Sequence, residues 1–501
     1  MNNNTIQINI HKNELTKCPN IIRFKFDETL GKYIITYKSL LTKIKQKEKI
    51  KKNPTGVYNI IGTPINDEFI CSWLLGLERE PEQDNLDIIY TIGKSKYIAK
   101  SLHQKVPIQI VSKDTYISPD AIKQLDKTSK RLGSVIKCFG MPDLHVGGFI
   151  PIGSIVYTNS IVYPDLVGSD IGCGMRFSMT NVHIGSNFDK ISRNLSLEQE
   201  TYHSHKNNTC FCDSPFPGIS NNMLRNELET YHSHSDHEFM RSIGTVGGGN
   251  HFAEIQQITQ VVDRDTFDSH NLDDTVYYTL VHSGSRGYGY DILQRYNDMN
   301  GLNDDTSKFL NYKKEHDDAM QFAELNRWVL TEKLITNAFG NNTTYVKICD
   351  VFHNFVTSET TSETTSSDNN KSTESIWIHR KGASIATPGE LSIIPGSRGS
   401  RTYLVVSLDK VREYGSSLAH GAGRRLTRNS THKAMERNDT QFLKGNIENN
   451  NVICDKEHLL YEEAPKCYKD IETVVSDMES FGLIRVVAIL KPVLTYKTRN
   501  P

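Results

Sequence analysis

The chain has 501 residues and a formal net charge of −1, with 58 Lys and Arg against 59 Asp and Glu. This balance excludes a uniformly basic protein, so a polyanionic partner would have to bind a local patch. The sequence contains no run of about 18 apolar residues, so we expect no transmembrane helix and no membrane partner. Nine scattered cysteines predict free thiols in a reducing compartment, the cytoplasm, with the nucleus as the alternative.

The first residues differ in composition from the rest of the chain. Residues 1–55 are rich in Asn, Lys, Ile and Thr, which predicts a partly disordered extension. From Gly56 onward, short apolar segments alternate with polar turns. We therefore expect one folded domain over residues 56–501.

Helical and strand patterns then alternate without a fixed repeat. Ser118-Pro-Asp begins a predicted helix that continues to Arg131 and carries Ile122 and Leu125 on one face. A second, longer helix is predicted over residues 317–336, and β-branched runs predict strands at 150–157, 277–282, 402–408 and 485–493. This mixture predicts an α+β fold.

Two polar segments interrupt the later part of the chain. Residues 357–375 consist almost entirely of Thr, Ser, Glu, Asp and Asn, with no apolar side chain to bury. We expect a disordered, low-complexity loop insertion there, and the Asn-rich residues 438–451 suggest a second one.

Glycines cluster beside His, Cys, Asp and Ser in five short segments. Glycine lets the backbone approach a ligand closely, and successive free N–H groups form concavities that bind anions. One such segment alone is more typical of an ordinary turn, but five in one chain predict a crowded phosphate site. The segments are 168–174, 244–251, 282–287, 395–399 and 420–424.

Metal-ligand side chains lie in or near these segments. Asp170 and Cys173 share one glycine-rich loop, and His251, His282 and His379 each lie at the edge of an apolar or β-rich segment. A mixed Asp, Cys and His set fits Mn²⁺, Zn²⁺ or Fe²⁺ better than Mg²⁺ or Ca²⁺. For each of these histidines taken alone, the alternative is a purely structural role.

A second group of histidines and cysteines lies between residues 202 and 237. It resembles a zinc cluster by residue type but lacks the Cys-x₂-Cys spacing of a zinc knuckle. We therefore leave this group out of the predicted site.

His420 is a candidate nucleophile. It precedes Gly-Ala-Gly and lies near three arginines, Arg424, Arg425 and Arg428. A neutral imidazole nitrogen can attack phosphorus when cations neutralise the phosphate oxygens. A purely structural histidine is the alternative.

Taken together, these segments resemble the RtcB family of GTP- and manganese-dependent RNA ligases. The similarity covers about residues 141–497. Its motifs, in chain order, are Met141-Pro-Asp-Leu-His-Val-Gly with Pro151-Ile-Gly, Asp170-Ile-Gly-Cys-Gly, Gly247-Gly-Gly-Asn-His-Phe-Ala-Glu254, His282-Ser-Gly-Ser-Arg-Gly, His379-Arg-Lys-Gly-Ala, Pro395-Gly-Ser and His420-Gly-Ala-Gly-Arg. The resemblance implies central mixed or antiparallel sheets flanked by helices, within a catalytic domain over 56–501.

The resemblance also implies a set of site residues. His420 would become guanylylated, and two Mn²⁺ ions would be bound by Asp170, Cys173, His251, His282 and His379, with Cys173 bridging them. The residues implied to bind GTP are Asn250, Glu254, Arg380, Pro395, Gly396, Ser397, Arg398, Thr402, Gly421, Ala422, Gly423, Arg424 and Lys497.

The implied reaction joins an RNA 3′-phosphate or 2′,3′-cyclic phosphate end to a 5′-hydroxyl end through a histidine–GMP intermediate. The implied partners are GTP and RNA, either tRNA halves or cleaved RNA, and the resemblance leaves open an activating protein such as archease.

Two positions depart from the usual family pattern. Arg398 stands where the family commonly has methionine, and Thr402 stands where it has serine. These changes resemble a divergent bacterial branch that is associated with a release-factor homologue and implicated in mending damaged RNA.

Two other functions fit the same residues. The first is a dinuclear-metal RNA phosphodiesterase, which would need no GTP. The second is a non-catalytic RNA-binding protein on the same scaffold. A binding module would need neither the metal-ligand residues nor His420, which favours an enzyme.

Overall fold

The computed structural model describes residues 21–27, 32–37, 86–89, 97–101, 106–197, 203–205, 208–210, 239, 241–359, 375–428, 430–431, 435, 443 and 451–499. The chain divides into two compact units, Met1–Lys113 and Asp114–Pro501. The predicted boundary between residues 55 and 56 and the side chains of the 202–237 group lie outside the described residues. So do residues 360–374 of the predicted insertion 357–375, and residues 438–442 and 444–450 of the Asn-rich segment. Residues 357–359 of the predicted insertion belong instead to a strand.

The Met1–Lys113 unit contains short antiparallel strands. β1 pairs with β2, and β4 pairs with both β3 and β5. The strands are β1 Ile21–Asp27, β2 Lys32–Tyr37, β3 Leu86–Ile89, β4 Tyr97–Ser101 and β5 Pro107–Ile110.

The Asp114–Pro501 unit contains the remaining described elements. Its strands are β6 Val135–His145, β7 Ile152–Asn159, β8 Ile161–Val162, β9 Gly174–His183, β10 His203–His205, β11 Asn208–Cys210, β12 Phe252–Val261, β13 Val276–Ser283, β14 Leu302–Asn303, β15 Tyr345–Phe352, β16 Asn354–Glu359, β17 Ile376–Lys381, β18 Ala383–Ile385, β19 Leu391–Pro395, β20 Thr402–Ser407, β21 Ser417–Ala419, β22 Asn451–Cys454 and β23 Ile484–Thr498.

Helices lie between these strands. They are α1 Pro119–Arg131, α2 Pro164–Val167, α3 Phe188–Asn194, α4 Arg264–Ser269, α5 Gly287–Tyr296, α6 Ser307–Phe339, α7 Glu457–Glu462 and α8 Ile471–Ser480, with 3₁₀ turns at Asp409–Tyr414 and Pro465–Cys467. Among the described residues, none of these helices has both the length and the apolarity needed to span a membrane.

Two sheets organise this unit. The larger sheet has the antiparallel order β15-β9-β13-β12-β23-β20-β19, and β22 adds to β23 in parallel. Another sheet contains β16-β17-β7-β6, also antiparallel. The mixed helices and sheets confirm the predicted α+β class, and the predicted helix at 119–131 and all four predicted strands correspond to observed elements.

Helix α6 forms much of the core against the larger sheet, where it packs on β9 and β13. It is longer than the predicted 317–336, because Thr306 caps its first turn by accepting a hydrogen bond from the Phe309 amide at 3.2 Å. The helix ends at Gly340, whose φ of 97° is readily adopted only by glycine. Its buried aromatic residues include Phe309, Tyr312 and Phe322.

Arg327 of α6 connects three parts of the core. Its side chain is fully buried, and Nη1 donates to the carbonyl oxygens of Gly172 at 2.8 Å and Ser283 at 3.0 Å. Its Nε donates to Oδ1 of Asp350 at 2.8 Å. Arg327 therefore fixes the 170–173 loop relative to the ends of β13 and β15.

We predict that Arg327→Met lowers the free energy of unfolding by about 3 kcal/mol, because it leaves the buried Asp350 carboxylate short of a partner. Guanidinium-induced unfolding measures this loss. Arg264→Met is the control, since Arg264 forms exposed ion pairs with Asp268 and Asp274 and its removal should change stability little. Equal losses for the two variants would contradict this role of Arg327.

Candidate metal and nucleotide site

Three neighbouring strands of the larger sheet bring the predicted metal ligands together. Cys173 immediately precedes β9, His251 immediately precedes β12, and His282 lies near the end of β13, which is the strand between them. The register places His282 opposite both Met175 and Phe252. Residues far apart in sequence therefore meet at one end of the sheet.

The donor atoms of Cys173, His251 and His282 all lie within 4.8 Å of one another. Sγ of Cys173 lies 3.3 Å from Nε2 of His251 and 3.2 Å from Nε2 of His282. Oδ2 of Asp170 lies 2.9 Å from the same His251 nitrogen. Donors bound to one tetrahedral ion at about 2.0–2.3 Å are separated by roughly 3.3–3.7 Å, so the thiol and imidazoles fit a metal site.

A third imidazole, which the sequence analysis missed, completes this group. His353 lies between β15 and β16, and its Nε2 is 3.3 Å from Nε2 of His282. Its backbone amide donates to the carbonyl oxygen of Cys173 at 2.9 Å. The sequence did offer one signal, because His353 and Asn354 directly follow a strand-like run at 345–352. No glycine stands beside them, so the search for glycine-rich segments did not select them.

The structure does not bring His379 into this group. His379 lies on β17, where its Nε2 accepts from the Tyr163 amide at 3.0 Å and its Nδ1 faces the Val156 carbonyl oxygen at 3.3 Å. Both ring nitrogens thus have backbone partners in the core, and burial lowers the pKa of His379 to about 3. This geometry corresponds to the structural alternative for His379, whereas His353 lies beside His282 in the cluster.

Burial keeps most of the cluster uncharged. It raises the pKa of the Cys173 thiol well above its ordinary value and lowers the pKa values of His282 and His353 well below theirs. Burial also raises the pKa of Asp170, but the charge and hydrogen bond of His251 more than offset this, so the net shift is downward. The site therefore offers the neutral imidazoles of His282 and His353, the Asp170 carboxylate and a thiol that a bound cation would deprotonate.

His420 lies next to this cluster, directly after β21. Its Nδ1 donates to Oδ2 of Asp143 at 2.6 Å, because an ionised carboxylate only accepts, and its backbone amide donates to the same oxygen at 3.2 Å. The His420 and His353 rings have centroids 4.8 Å apart. This arrangement holds the proton on Nδ1 and leaves the Nε2 lone pair for reaction.

Lys469 fixes the position of Asp143. Its Nζ donates to the carbonyl oxygens on either side of Asp143, those of Pro142 at 2.9 Å and Leu144 at 2.7 Å. Its backbone amide donates to Gly423 in the loop that follows His420, at 2.9 Å. Lys469 therefore connects the backbone around Asp143 to the loop that follows His420.

A pocket of about 910 Å³, part of it open to solvent, lies beside His420. It contains His420 and most of the residues predicted to bind a nucleotide. The predicted residues that line it are Asn250, Glu254, Pro395, Gly396, Ser397, Arg398, Gly421, Ala422, Gly423, Arg424 and Lys497. Lining residues that the sequence analysis did not select include His145, Arg428, Glu463 and Tyr468.

Two predicted nucleotide contacts do not line this pocket. Arg380 is buried elsewhere, where it donates to the Ser417 and Thr357 hydroxyls and the Gly415 carbonyl oxygen. Thr402 lies behind Glu254, since the Gln256 amide nitrogen bridges Oε2 of Glu254 at 2.6 Å and the Thr402 hydroxyl at 3.2 Å.

The opposite wall of the pocket contains a network centred on Glu463. Its Oε1 pairs with Nη1 of Arg424 at 3.2 Å, and its Oε2 accepts from the Tyr468 hydroxyl. Nη2 of Arg424 is buried and has no hydrogen-bond partner among the described residues, so it remains a donor for an anion. Arg398 donates to the carbonyl oxygens of Glu463 and Leu460 at 2.6 and 2.9 Å, which anchors the end of α7.

The site thus combines three features. A thiol and imidazoles form a cluster that could bind a cation, a carboxylate orients a histidine, and glycines line a pocket. Arg424 of this pocket has a guanidinium nitrogen without a partner among the described residues. A metal-dependent enzyme that acts on a phosphate would need these features. Comparison with known families agrees with that class: residues 124–203 and 196–498 match the family model described as tRNA-splicing ligase RtcB, and the chain belongs to this family.

Curated relatives show the same similarity. The chain is 36% identical over 394 residues to RNA-splicing ligase RtcB2 of Escherichia coli strain ATCC 25922, covering 77% of this chain and 94% of the relative. It is 27% identical over 435 residues to RNA-splicing ligase RtcB of E. coli K12, covering 79% and 98%. It is also 27% identical over 472 residues to tRNA-splicing ligase RtcB of Nanoarchaeum equitans, covering 80% and 97%.

We predict that His353→Gln weakens Co²⁺ or Mn²⁺ binding at least about tenfold, whereas His379→Gln leaves it within about twofold of wild type. Isothermal titration calorimetry measures both affinities. His379→Gln should instead lower the melting temperature, because it disturbs two buried hydrogen bonds. Loss of cation binding in His379→Gln, with normal binding in His353→Gln, would contradict the geometry.

Proposed function

We propose that the protein is a GTP- and Mn²⁺-dependent RNA ligase that joins RNA 3′-phosphate or 2′,3′-cyclic phosphate ends to 5′-hydroxyl ends through a histidine–GMP intermediate. The observation that carries this proposal is the orientation of His420 by Asp143 beside the cation cluster and the pocket. Membership of the RtcB family and the names of the relatives, which describe RNA-splicing and tRNA-splicing ligases, support the RNA substrate.

The contacts divide the proposed ligands between two ions. Asp170 and His251 form one pair, His282 and His353 form the other, and the Cys173 sulfur lies beside both pairs. Cys173, as a thiolate, would therefore hold both ions, and His353 would take the place of His379 in the proposed ligand set. Bound Mn²⁺ would supply Lewis-acid activation of phosphate oxygens.

His420 is the proposed nucleophile. Asp143 keeps the proton on Nδ1, so Nε2 can attack the α-phosphorus of GTP, forming an N–P bond as pyrophosphate leaves. Asp143 also stabilises the positive charge that the imidazole acquires during attack. Nη2 of Arg424, which has no partner among the described residues, would donate to a phosphate oxygen.

The remaining two steps transfer the guanylate and seal the RNA. An oxygen of the RNA 3′-phosphate would attack the GMP phosphorus and release His420, which yields an activated 3′ end. The 5′-hydroxyl would then attack the RNA phosphate, form the 3′,5′ linkage and release GMP.

We predict that incubation with α-labelled GTP and Mn²⁺ attaches label to wild type and that His420→Ala attaches none while its Mn²⁺ affinity is unchanged. Subsequent RNA with 3′-phosphate and 5′-hydroxyl ends should discharge the label and become joined. Denaturing gels measure both products. Cleavage of cyclic phosphate without labelling would indicate the phosphodiesterase, and RNA binding with neither reaction would indicate the binding protein.

Glu254 gives the proposed nucleotide recognition a defined pH dependence. Burial raises the pKa of Glu254 to about 7, and its two oxygens already accept from Thr495 and Gln256 at 2.7 and 2.6 Å. Further lone pairs of the ionised carboxylate can accept the N–H donors of guanine. Protonation below the pKa replaces one of these acceptors with a donor.

We predict that the KM for GTP in the labelling reaction falls as the pH rises from 6 to 8, because Glu254 ionises in this interval. Glu254→Gln should raise the KM and flatten this part of the profile. Single-turnover rates at several GTP concentrations measure the KM at each pH. A wild-type KM that does not change across pH 7, or an unchanged slope in Glu254→Gln, would contradict the role of this carboxylate.

A further inference from the structure

A second concave surface lies on α1, outside the pocket that contains His420. One side of α1 and the side chain of Phe149, in the loop between β6 and β7, line a groove of about 830 Å³ that is open to solvent. Three cations, Lys123, Lys127 and Arg131, line it at intervals of four residues. Asp120 is the only acidic residue among the described residues that line this groove.

The groove is locally basic in a chain whose formal net charge is −1. Residues four apart lie on the same helix face at successive positions about 6 Å apart along the axis, so Lys123, Lys127 and Arg131 form a row. Lys127 and Arg131 are exposed. Lys130 does not belong to this row, since its Nζ pairs with Asp126 at 3.0 Å. This is the kind of local patch that a polyanion requires here.

Phe149 adds an aromatic surface to the row of cations. Its ring is partly buried, and the Arg131 guanidinium carbon lies 4.2 Å from the ring centroid. Single-stranded nucleic acid is bound by the combination found here, cations that follow the backbone and an aromatic ring on which a base stacks. An acidic peptide would use the cations but has no need for the ring.

The groove is also connected directly to the proposed active site. The Gln124 side chain of α1 donates to the carbonyl oxygens of Gly147 and Gly148 at 3.0 and 3.1 Å and accepts from the Gly147 amide at 3.1 Å. The same loop begins beside His145, which lines the nucleotide pocket. A Cβ on Gly147 would lie 2.1 Å from the Ile150 carbonyl oxygen, so this close loop requires glycine.

We propose that the α1 groove, defined by Lys123, Lys127, Arg131 and Phe149, binds a single-stranded segment of the RNA whose end reacts in the His420 pocket. The cations contact successive phosphates, and Phe149 stacks with a base. The loop 146–150 connects the bound segment to the pocket. This inference rests on the proposed function for its substrate, but RNA binding by the groove is measurable without ligation.

The test is the charge-reversed double variant Lys127→Glu/Arg131→Glu, in which both altered side chains are exposed. Fluorescence anisotropy with a labelled single-stranded oligoribonucleotide, over a series of salt concentrations, measures affinity. We expect the Kd to rise at least about tenfold. The plot of log binding constant against log salt concentration should become less steep by about 1.4, since each of the two lost phosphate contacts contributes about 0.7 to the slope. Labelling of His420 by GTP should be unchanged.

Lys314→Glu/Lys410→Glu is the matched control, because it makes the same change in net charge at two exposed lysines that line neither cavity. Its RNA affinity should remain within about twofold of wild type. Equal losses in the control and in the groove variant would overturn the proposal, as would wild-type affinity in the groove variant. If the charge reversal lowers the melting temperature, the milder Lys127→Ala/Arg131→Gln decides by the same criteria.

Phe149→Leu tests the aromatic contribution separately, since it keeps an apolar side chain but removes the stacking surface. We expect weaker RNA binding with an unchanged salt slope. If wild type fails to label with GTP, the proposed ligase mechanism fails. Selective loss of RNA affinity in the groove variant would still support the docking surface.

Discussion

The contact between Asp143 and His420 is the constraint on which the rest of the site depends. These residues are 277 positions apart, yet a single carboxylate oxygen accepts from both the ring and the backbone amide of His420. Gly423 makes this approach feasible, because a Cβ there would lie 2.2 Å from the Asp143 carbonyl oxygen. Lys469 holds the β6 backbone around Asp143 through the carbonyl oxygens of Pro142 and Leu144. The carboxylate is thus preorganised, and the histidine needs no rearrangement to present Nε2.

The cation cluster depends on a different part of the fold. The register of β9, β13 and β12 aligns Cys173, His251 and His282, and buried Arg327 holds the 170–173 loop against them. His353 connects the cluster to the nucleophile, because its ring contacts both His282 and His420. Burial keeps the imidazoles of His282 and His353 neutral, so their lone pairs are available to a cation. The His353 ring lies beside both His282 and His420, so a cation held by the cluster would lie near the proposed nucleophile.

Sequence patterns predicted secondary-structure elements and the site residues that lie in motifs. They did not predict all the residues that contact those site residues. The α+β class followed from apolar periodicity, and the glycine-rich segments indicated the pocket because close backbone approach requires glycine locally. Lys469 and Glu463 carry no such local signature, since their roles arise from carbonyl oxygens and side chains brought close only by folding.

The difference between His379 and His353 illustrates this limit. Both histidines lie near β-rich segments, but a strand directs alternate side chains to opposite faces, and the pattern did not establish which face each histidine occupies. In the fold, His379 faces the backbone of β7 and of Tyr163, the residue before α2, whereas His353 lies between β15 and β16. Arg398 is similar: its substitution for methionine was visible, but its two carbonyl partners on α7 were not.

The central claim is that His420 forms the covalent bond to GMP through Nε2, while its Nδ1 stays hydrogen-bonded to Asp143. Peptide mapping by mass spectrometry after incubation with GTP and Mn²⁺, combined with ³¹P–¹⁵N correlation NMR of histidine-labelled protein, identifies both the residue and the nitrogen. The account predicts GMP on His420, bonded to Nε2. GMP on another residue, or bonded to Nδ1 of His420, would contradict it.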